Sequence, residues 1–271
     1  METGKVLRFR RLFARGHAVI VPMDHALFSE PRGAIENLET LVATIADTPA
    51  DGILITPAML RRVKDVIGQL ATVVRIDGTH TRLGAHLERI DLITDVEHAA
   101  SLGADAVVIN VFVGTDNEDQ LLRKLGLVAT ECCRRGVPLV AEMIPAYVLN
   151  YHYAKEEGGF DPERAATEIQ LASRLGAELG ADVIKTHYTG DPDAFGRIVR
   201  STPVPIVVAG GPKTGTDEEF LHMIEDAMAA GAGGICIGRN VWQRDNLKGM
   251  LQALSRLVHD GAAAETVKGL L

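Results

Sequence analysis

Residues 179–186 read LGADVIKT and join the end of a helical pattern to a short β-rich run. Residues 102–105 (LGAD) and 230–233 (AGAG) form the same kind of junction elsewhere in the chain. A helix that ends at glycine and turns directly into an apolar strand is the repeating unit of an α/β domain with parallel strands. The repeat therefore predicts that strands and helices alternate along the chain.

The β-rich runs recur at regular intervals, and stretches with a helical period near 3.6 separate them. The runs are Ala18–Asp24, Gly52–Pro57, Thr72–Asp77, Ala106–Gly114, Pro138–Ile144, Asp182–Thr189, Pro205–Gly211 and Gly234–Arg239. With 271 residues and no linker-like segment, the chain is predicted to be one α/β domain over residues 1–271, a single (β/α)8 TIM barrel. A doubly wound open sheet is the alternative, but no G-x-G-x-x-G turn follows the first run.

The composition excludes several classes of function. Hydrophobic residues make up 46% of the chain and aromatic residues 4%, which suits a core of aliphatic strands covered by helices. The formal net charge of −8 argues against a nucleic-acid or anionic membrane surface. The three cysteines show no C-x-x-C spacing, which predicts a reducing, cytoplasmic location. No segment approaches the roughly 20 apolar residues that span a bilayer.

A barrel of this kind carries its chemistry at the C-terminal ends of its strands. The polar residues expected there are Asp24, His25, Arg75, Asp77, Glu142, Lys185, His187 and Arg239. Burial in an apolar wall lowers the pKa of a lysine, and a neutral lysine forms a Schiff base with a carbonyl substrate, so Lys185 is the leading catalytic candidate. Strand alternation places His187 and Glu142 on the interior face as well. A purely structural Lys–Glu pair is the alternative.

The predicted seventh and eighth strands are followed by glycine turns. Gly210 and Gly211 follow one, and Gly238 and Arg239 follow the other, in front of a short helix. Such turns are typical of the phosphate site of this fold, although they also occur as plain structural turns. A lysine beside a phosphate site predicts carbon–carbon chemistry on a phosphorylated ketone or aldehyde, with one acid/base group. Asp77 is assigned to substrate binding.

Two connections, Gly78–Thr94 and Pro145–Phe160, are long and lie on the expected active-site face. The second ends in Gly158-Gly159 and is predicted to be a lid, or otherwise a surface loop or an oligomer contact. The choice of acceptor aldehyde is expected to depend on these two connections.

Four motifs together resemble the archaeal-type class I aldolases, the group of archaeal fructose-bisphosphate aldolase and aminodideoxy-heptulosonate synthase. They are residues 21–25 (VPMDH), 176–192 around Lys185, 209–220 (from AGGPKT to DEEF) and 238–240 (GRN). The resemblance covers nearly the whole chain. It implies a Schiff base on Lys185, an acid/base or orienting role for Asp24, and phosphate on Gly211, Gly238 and Arg239. It also implies a phosphorylated small-molecule substrate, no metal or other cofactor, and a ring-shaped homo-oligomer, often a decamer.

The chain departs from that family at its main proton carrier. Ile144 occupies the position of the family tyrosine, Glu142 replaces an aromatic pocket residue, and His187 stands where the synthase branch has serine. We therefore hypothesise that Glu142 or His187 transfers the proton, or that Tyr147 or Tyr151 moves in from the loop.

The default substrate is fructose 1,6-bisphosphate or a related donor of the dihydroxyacetone phosphate type, and heptulosonate-type aldol transfer to aspartate semialdehyde comes next. Coenzyme A-dependent acyl transfer is a further alternative, because a barrel with Lys185 and His25 but without the tyrosine also resembles the autoinducer-2 degrading thiolase. A metal-dependent lyase would use His25, His80 and His187. The non-catalytic alternative is a sugar-phosphate binding barrel, although such a barrel has no need of a buried amine.

Overall fold

The computed structural model describes residues 2–81, 83–154, 160–211 and 215–271. Within these residues, eight parallel strands close into a barrel in which each strand pairs with its neighbours in the sequence and the first pairs with the last. The strands are β1 (Ala18–Pro22), β2 (Gly52–Ile55), β3 (Ala71–Arg75), β4 (Ala106–Val113), β5 (Leu139–Pro145), β6 (Val183–His187), β7 (Ile206–Ala209) and β8 (Gly234–Cys236). The predicted TIM barrel is confirmed.

Helices surround the barrel, and short ones follow several strands. They are α1 (Thr3–Leu12), α2 (His25–Phe28), α3 (Leu38–Ala46), α4 (Pro57–Val63), α5 (Val96–Ser101), α6 (Glu118–Arg135), α7 (Ala146–Leu149), α8 (Pro162–Glu178), α9 (Pro192–Ser201), α10 (Asp217–Ala229), α11 (Arg239–Trp242), α12 (Leu247–Asp260) and α13 (Ala264–Val267). In the described residues, no helix is long and apolar enough to cross a membrane.

Several strands end earlier than the sequence predicts. β1 ends at Pro22, so Asp24 lies just before α2, and β3 ends at Arg75, so Asp77 lies in an isolated bridge with Leu92. The polar residues after these strands thus sit on the first turn of each connection, where the backbone is free to aim them over the barrel.

The N-terminal end of the barrel is closed by α1. Leu12 and Phe13 pack among the inward-facing side chains of the strands, which are Ala18, Ile20, Leu54, Ala71, Val73, Ala106, Val108, Val140, Val183, Val207 and Cys236. These small and branched residues fill the barrel interior, so the space for chemistry is at the other end.

Cations in and after α1 bind aspartates that precede alternate strands. Lys5 pairs with Asp182 at 2.7 Å, Arg11 with Asp105 at 3.0 Å and Arg15 with Asp51 at 3.0 Å. Each aspartate also accepts the backbone N–H of the preceding strand, at Leu139, Thr72 and Val19 respectively. The aspartate of the repeated LGAD junction therefore locks strand register and holds the N-terminal helix, which is a structural use remote from the catalytic face.

Candidate active site

The C-terminal ends of the strands surround a cavity of about 320 Å³. All the site residues predicted from the sequence except Asp77 line it, and these are Asp24, His25, Glu142, Lys185, His187, Gly210, Gly211, Gly238 and Arg239. The cavity is within the size range of small-molecule sites, and it lies on the face where barrel enzymes carry their chemistry.

Lys185 and Glu142 form a buried ion pair inside this cavity. They are register partners on β6 and β5, which puts both side chains on the interior face. The Lys185 Nζ lies 2.8 Å from the Glu142 Oε1, and the two side chains are only 7% and 12% exposed.

The sequence-based expectation that the pKa of Lys185 is lowered is wrong for the ligand-free protein. Burial is the largest single influence and opposes the ammonium form, but the Glu142 carboxylate and smaller contributions together outweigh it and raise the pKa of Lys185 above its usual range. The lysine is therefore an ammonium that must give up a proton before it can act as a nucleophile.

Arg75 is the centre of the charged residues under the cavity. Its guanidinium donates from Nε to Asp24 at 2.8 Å, from Nη1 to Asp77 at 3.3 Å and from Nη2 to Glu142 at 2.6 Å. Its side chain is 1% exposed, and although burial opposes the charge, the three carboxylates raise the pKa of Arg75. The sequence analysis places Arg75 at a strand end but gives it no role. The feature of the sequence that could have indicated its role is a lone cation in an apolar strand, two residues before Asp77.

Asp77 lies behind Arg75, and this corrects its expected role in substrate binding. Its carboxylate is fully buried, accepts the backbone N–H of Asn110 at 2.7 Å, and pairs with Lys124 of α6 at 2.8 Å. Asp77 therefore orients Arg75 from the side away from the cavity. Lys124, a helix residue, was not anticipated from the sequence.

The buried charges alternate in sign and balance. The cations are Lys124, Arg75 and Lys185, and the carboxylates are Asp77, Asp24 and Glu142. Burial opposes ionisation of Glu142, but Lys185 and Arg75 outweigh it and lower the pKa of Glu142 to about 2. Glu142 is thus a carboxylate with one oxygen on each cation.

His187 lies two residues beyond Lys185 on the same face of β6. Neither ring nitrogen has a hydrogen-bond partner among the described residues. The ring stacks on His152, which the sequence analysis did not single out, with centroids 4.8 Å apart. Burial and, next, the neighbouring His152 lower the pKa of His187 to about 3, so the imidazole is neutral. It can offer one donor and one acceptor to a ligand in the cavity.

The structure places neither Tyr147 nor Tyr151 on the cavity wall. The Tyr147 hydroxyl accepts the backbone N–H of Asp161 at 2.5 Å, and its ring lies 4.2 Å from the Arg164 guanidinium. Ile144, at the family tyrosine's position, does line the cavity and offers no proton. The expected replacement of the tyrosine by Tyr147 is therefore not supported by its position. The predicted lid rests partly on residues 155–159, which lie outside the described residues.

The glycine turns after β7 and β8 are adjacent. The Asn240 side chain donates to the Gly210 carbonyl at 3.1 Å and joins them. A Cβ added at Gly210 would lie 2.7 Å from a neighbouring side chain, and one at Gly238 would lie 2.9 Å from a backbone oxygen, so both positions require glycine. Arg239 lines the cavity beside these turns. Residues 212–214, which continue the predicted motif, lie outside the described residues.

The histidines of the metal-dependent alternative line the cavity without forming a ligand set. In the part of the chain that the structure describes, three His, Cys, Asp or Glu ligand atoms come within 4.8 Å of one another only at Glu218, His222 and Glu265. That group is on the surface, and Lys268 lies 2.6 Å from one of its carboxylates and 2.7 Å from the other.

A closed parallel barrel with a buried lysine and carboxylates at the C-terminal ends of its strands defines a lysine-dependent barrel enzyme. The model of the DeoC/LacD family aldolases matches residues 18–244 of the chain. The chain therefore belongs to the DeoC/LacD aldolase family.

The relatives narrow the class further. The chain is 36% identical to a 2-amino-3,7-dideoxy-D-threo-hept-6-ulosonate synthase of Halobacterium salinarum, over 97% of this chain and 95% of that protein. It is 32% identical to a class 1 fructose-bisphosphate aldolase of Thermoproteus tenax, over 94% of each. The solved structure of a Schiff base-forming fructose-1,6-bisphosphate aldolase matches with a TM-score of 0.82 at 31% identity, over 94% of this chain and 99% of that one. The predicted class I, Schiff-base aldolase is confirmed as the enzyme class.

Proposed function

We propose that this aldolase forms its Schiff base on Lys185 and makes or breaks a carbon–carbon bond in a phosphorylated ketose. The observation that carries the proposal is the Lys185–Glu142 pair at 2.8 Å inside a cavity that also reaches two glycine turns and Arg239. The relatives' names favour fructose 1,6-bisphosphate or a related donor of the dihydroxyacetone phosphate type.

The first step moves a proton between the paired residues. The Lys185 ammonium gives one proton to the Glu142 carboxylate, and the neutral amine attacks the ketone carbon to form a carbinolamine. The protonated Glu142 then returns the proton to the carbinolamine hydroxyl, which leaves as water, and an iminium remains on Nζ. The carboxylate keeps a cationic partner before and after the step, so the buried site stays neutral.

The second step breaks the carbon–carbon bond. The iminium draws the electrons of the bond between the α and β carbons toward nitrogen, while a base takes the proton from the hydroxyl on the β carbon. That carbon leaves as the aldehyde, and an enamine remains on Lys185. His187 is the proposed base because its ring nitrogens are unpartnered and it lies two residues from Lys185 on the same face. The phosphate dianion of a bound substrate would raise its low pKa.

Asp24 and His25 support these steps at the end of β1. Asp24 is held at 2.8 Å by Arg75, so it is proposed to orient the substrate hydroxyls. His25 is half-buried beside Trp242, with ring centroids 5.7 Å apart. Burial and the nearby Arg239 lower the pKa of His25, which makes it a neutral hydrogen-bond donor near the glycine turns.

The phosphate is proposed to bind where the turns after β7 and β8 meet. Gly210, Gly211 and Gly238 line the cavity there, where their backbone amides would bind the phosphate, and Arg239 would supply charge-assisted hydrogen bonds. This end of the cavity is next to Lys185, as the donor half of a ketose phosphate requires.

Borohydride trapping tests the Schiff base. The protein is incubated with dihydroxyacetone phosphate and then with fructose 1,6-bisphosphate, reduced, digested and mapped by mass spectrometry. We expect an adduct on Lys185, none with Lys185→Arg, and an undiminished adduct with Lys248→Arg, an exposed control. An adduct on another lysine would refute the assignment. No adduct would favour another carbonyl substrate, coenzyme A-dependent acyl transfer or a non-catalytic binding barrel. Full activity of both Glu142→Gln and His187→Ala would refute the proton assignments.

A second candidate is heptulosonate-type aldol transfer, favoured by the 36% identity to the Halobacterium salinarum synthase. Aspartate semialdehyde, offered as acceptor to the enzyme with unreduced donor, would distinguish it, because product would form with this aldehyde and not with glyceraldehyde 3-phosphate.

We also propose a homo-oligomer in the cytoplasm, as the resemblance implies. Leu127 on α6 and Leu171 on α8 are 62% and 64% exposed, and such side chains are candidates for a subunit contact. Sedimentation velocity would show a single species larger than 29.1 kDa, and a monomer would contradict this part of the proposal.

A further inference from the structure

The cavity has two unlike ends, and the order of the strands sets them apart. In a closed ring of eight strands, β4 lies opposite β8. The glycine turns and Arg239 follow β7 and β8. The opposite side is an apolar wall made of His80, Leu87, Phe112 and Ile144, which Phe28 joins from the connection after β1, and all five line the cavity.

The rings of the apolar wall pack against one another. Phe28 stacks on His80 with centroids 5.0 Å apart, and Phe112 meets His80 edge-on at 6.4 Å. Phe112 and Ile144 are register partners on β4 and β5, so the residue that replaces the family tyrosine extends the same surface. The wall is therefore a continuous face built by two separate connections and two strands.

The Arg75 guanidinium contacts this wall, with its carbon 5.8 Å from the centre of the Phe28 ring, but it is shared by three carboxylates. Among the described lining residues, the cations are Arg75, Lys185 and Arg239. Arg75 and Lys185 are already paired with carboxylates, and Arg239 is on the opposite side. Burial lowers the pKa of His80, which keeps its ring neutral. A phosphate placed against the apolar wall would lose water and meet there only a cation that already has carboxylate partners, which is costly.

We propose that the apolar wall receives the aldehyde half of the substrate, and that this aldehyde is uncharged with an apolar or aromatic body. The substrate class is then a ketose monophosphate whose phosphate is on the donor half alone. The inference rests on the proposed function, because the donor must be held on Lys185 with its phosphate at Arg239. The new carbon–carbon bond then points from Lys185 toward Phe112 and Ile144.

His80 adds one polar contact to this wall. Its Nδ1 is buried and has no hydrogen-bond partner among the described residues. A single buried nitrogen among aromatic rings fits one hydroxyl or carbonyl of an otherwise apolar acceptor, and leaving that nitrogen unpaired disfavours a ligand that lacks such a group.

The test separates the donor from the acceptor. Exchange of the dihydroxyacetone phosphate C3 proton with D2O, followed by NMR, reports enamine formation without any acceptor. Three acceptors are then compared by kcat/KM: phenylacetaldehyde, glyceraldehyde, and glyceraldehyde 3-phosphate. We expect kcat/KM for phenylacetaldehyde to exceed kcat/KM for glyceraldehyde 3-phosphate by at least about tenfold. This factor is the lower end of the discrimination that an apolar pocket provides. Absence of both exchange and a borohydride adduct would refute the donor, and the inference with it.

Variants of the wall sharpen the comparison. Phe112→Ala and, in case that variant folds poorly, Phe28→Ala should lower the efficiency of phenylacetaldehyde relative to glyceraldehyde by roughly tenfold. Arg82→Ala is the charge control, because residue 82 lies in the same connection as His80 and Leu87 and is outside the described residues. Normal donor exchange with a preference for glyceraldehyde 3-phosphate would overturn the inference while leaving the proposed function intact. If the wild type prefers glyceraldehyde 3-phosphate and Arg82→Ala does not, Arg82 binds a phosphate on the aldehyde half, and this result would also overturn the inference.

Discussion

Replacement of Glu142 by glutamine separates the two roles assigned to this carboxylate. The side chain holds Lys185 as an ammonium through a contact of 2.8 Å, and it is also the proposed carrier of the proton that Lys185 must lose. Glu142→Gln keeps the shape of the side chain but removes the charge. Lys185 then remains buried, with Arg75 nearby and without its closest anion, so its pKa should fall.

The magnitude follows from the interaction that is lost. The pKa of Glu142 is about 2, against an ordinary value of 4.5. At 1.36 kcal/mol for each pKa unit, this difference corresponds to roughly 3 kcal/mol of favourable interaction with Lys185 and Arg75. If Lys185 loses a comparable interaction free energy, the pH at which its amine becomes neutral should fall by roughly one to two units. Loss of the general acid should lower kcat by roughly 10²–10⁴.

The assay measures the two effects on the same protein. The rate of borohydride trapping with dihydroxyacetone phosphate is followed from pH 5 to 10, and kcat for the aldol reaction is measured at the same pH values. We expect the trapping midpoint to move to lower pH while kcat falls. Glu39→Gln, which changes an exposed glutamate on α3, is the matched control and should alter neither quantity. A trapping midpoint that is unchanged or higher, or a kcat equal to that of the wild type, would refute the reasoning.

Further predictions concern stability and the residues around the site. Because the pKa of Glu142 is depressed, its contribution to stability is present above pH 4.5 and is lost as the pH falls toward about 2. The free energy of unfolding in urea should therefore fall more for the wild type than for Glu142→Gln in this pH interval. Arg75→Met leaves buried carboxylates without their cation, so the free energy of unfolding measured in urea should fall by roughly 3–5 kcal/mol. A loss under about 1 kcal/mol would show that Arg75 does not stabilise these carboxylates. Tyr147→Phe should leave kcat unchanged, since its hydroxyl bonds Asp161 outside the cavity, whereas a large loss would restore Tyr147 as a proton carrier. Lys5→Met should lower the melting temperature without changing KM, and a change in KM would show that the closed end of the barrel affects the site.

The fold could be predicted because its signals are local and repeated. A glycine that ends a helix and leads into an aliphatic run is visible at residues 102–105, 179–182 and 230–233, and eight aliphatic runs leave little choice of architecture. The interior position of His187 followed from that of Lys185 through the alternation of side chains along a strand, since that rule also needs only local sequence. These inferences did not depend on distances between strands.

The charge state of the site could not be predicted, because it depends on the register between strands. Lys185 alone, buried, suggested a neutral amine, but pairing with Glu142 across β5 and β6 reverses the sign of the pKa shift. Asp77 was expected beside the substrate because the strand was read two residues too long, so its position behind Arg75 was not visible. Lys124 reaches the site from a helix, and no periodicity of the strands indicates such a contact.

The arrangement of Glu142 between two cations explains how a carboxylate of low pKa can still act as a base. Its low pKa in the resting protein comes from Lys185 and Arg75, so the pKa depends on whether both remain charged. The ammonium and the iminium each carry a positive charge on Nζ, and Glu142 stays ionised through both. When the carbon–carbon bond breaks, the enamine nitrogen becomes neutral, and Glu142 loses one of its cations. Its pKa must then rise, because desolvation is unchanged while the attraction is reduced. Glu142 can therefore take over from His187 the proton that the substrate hydroxyl releases at this step.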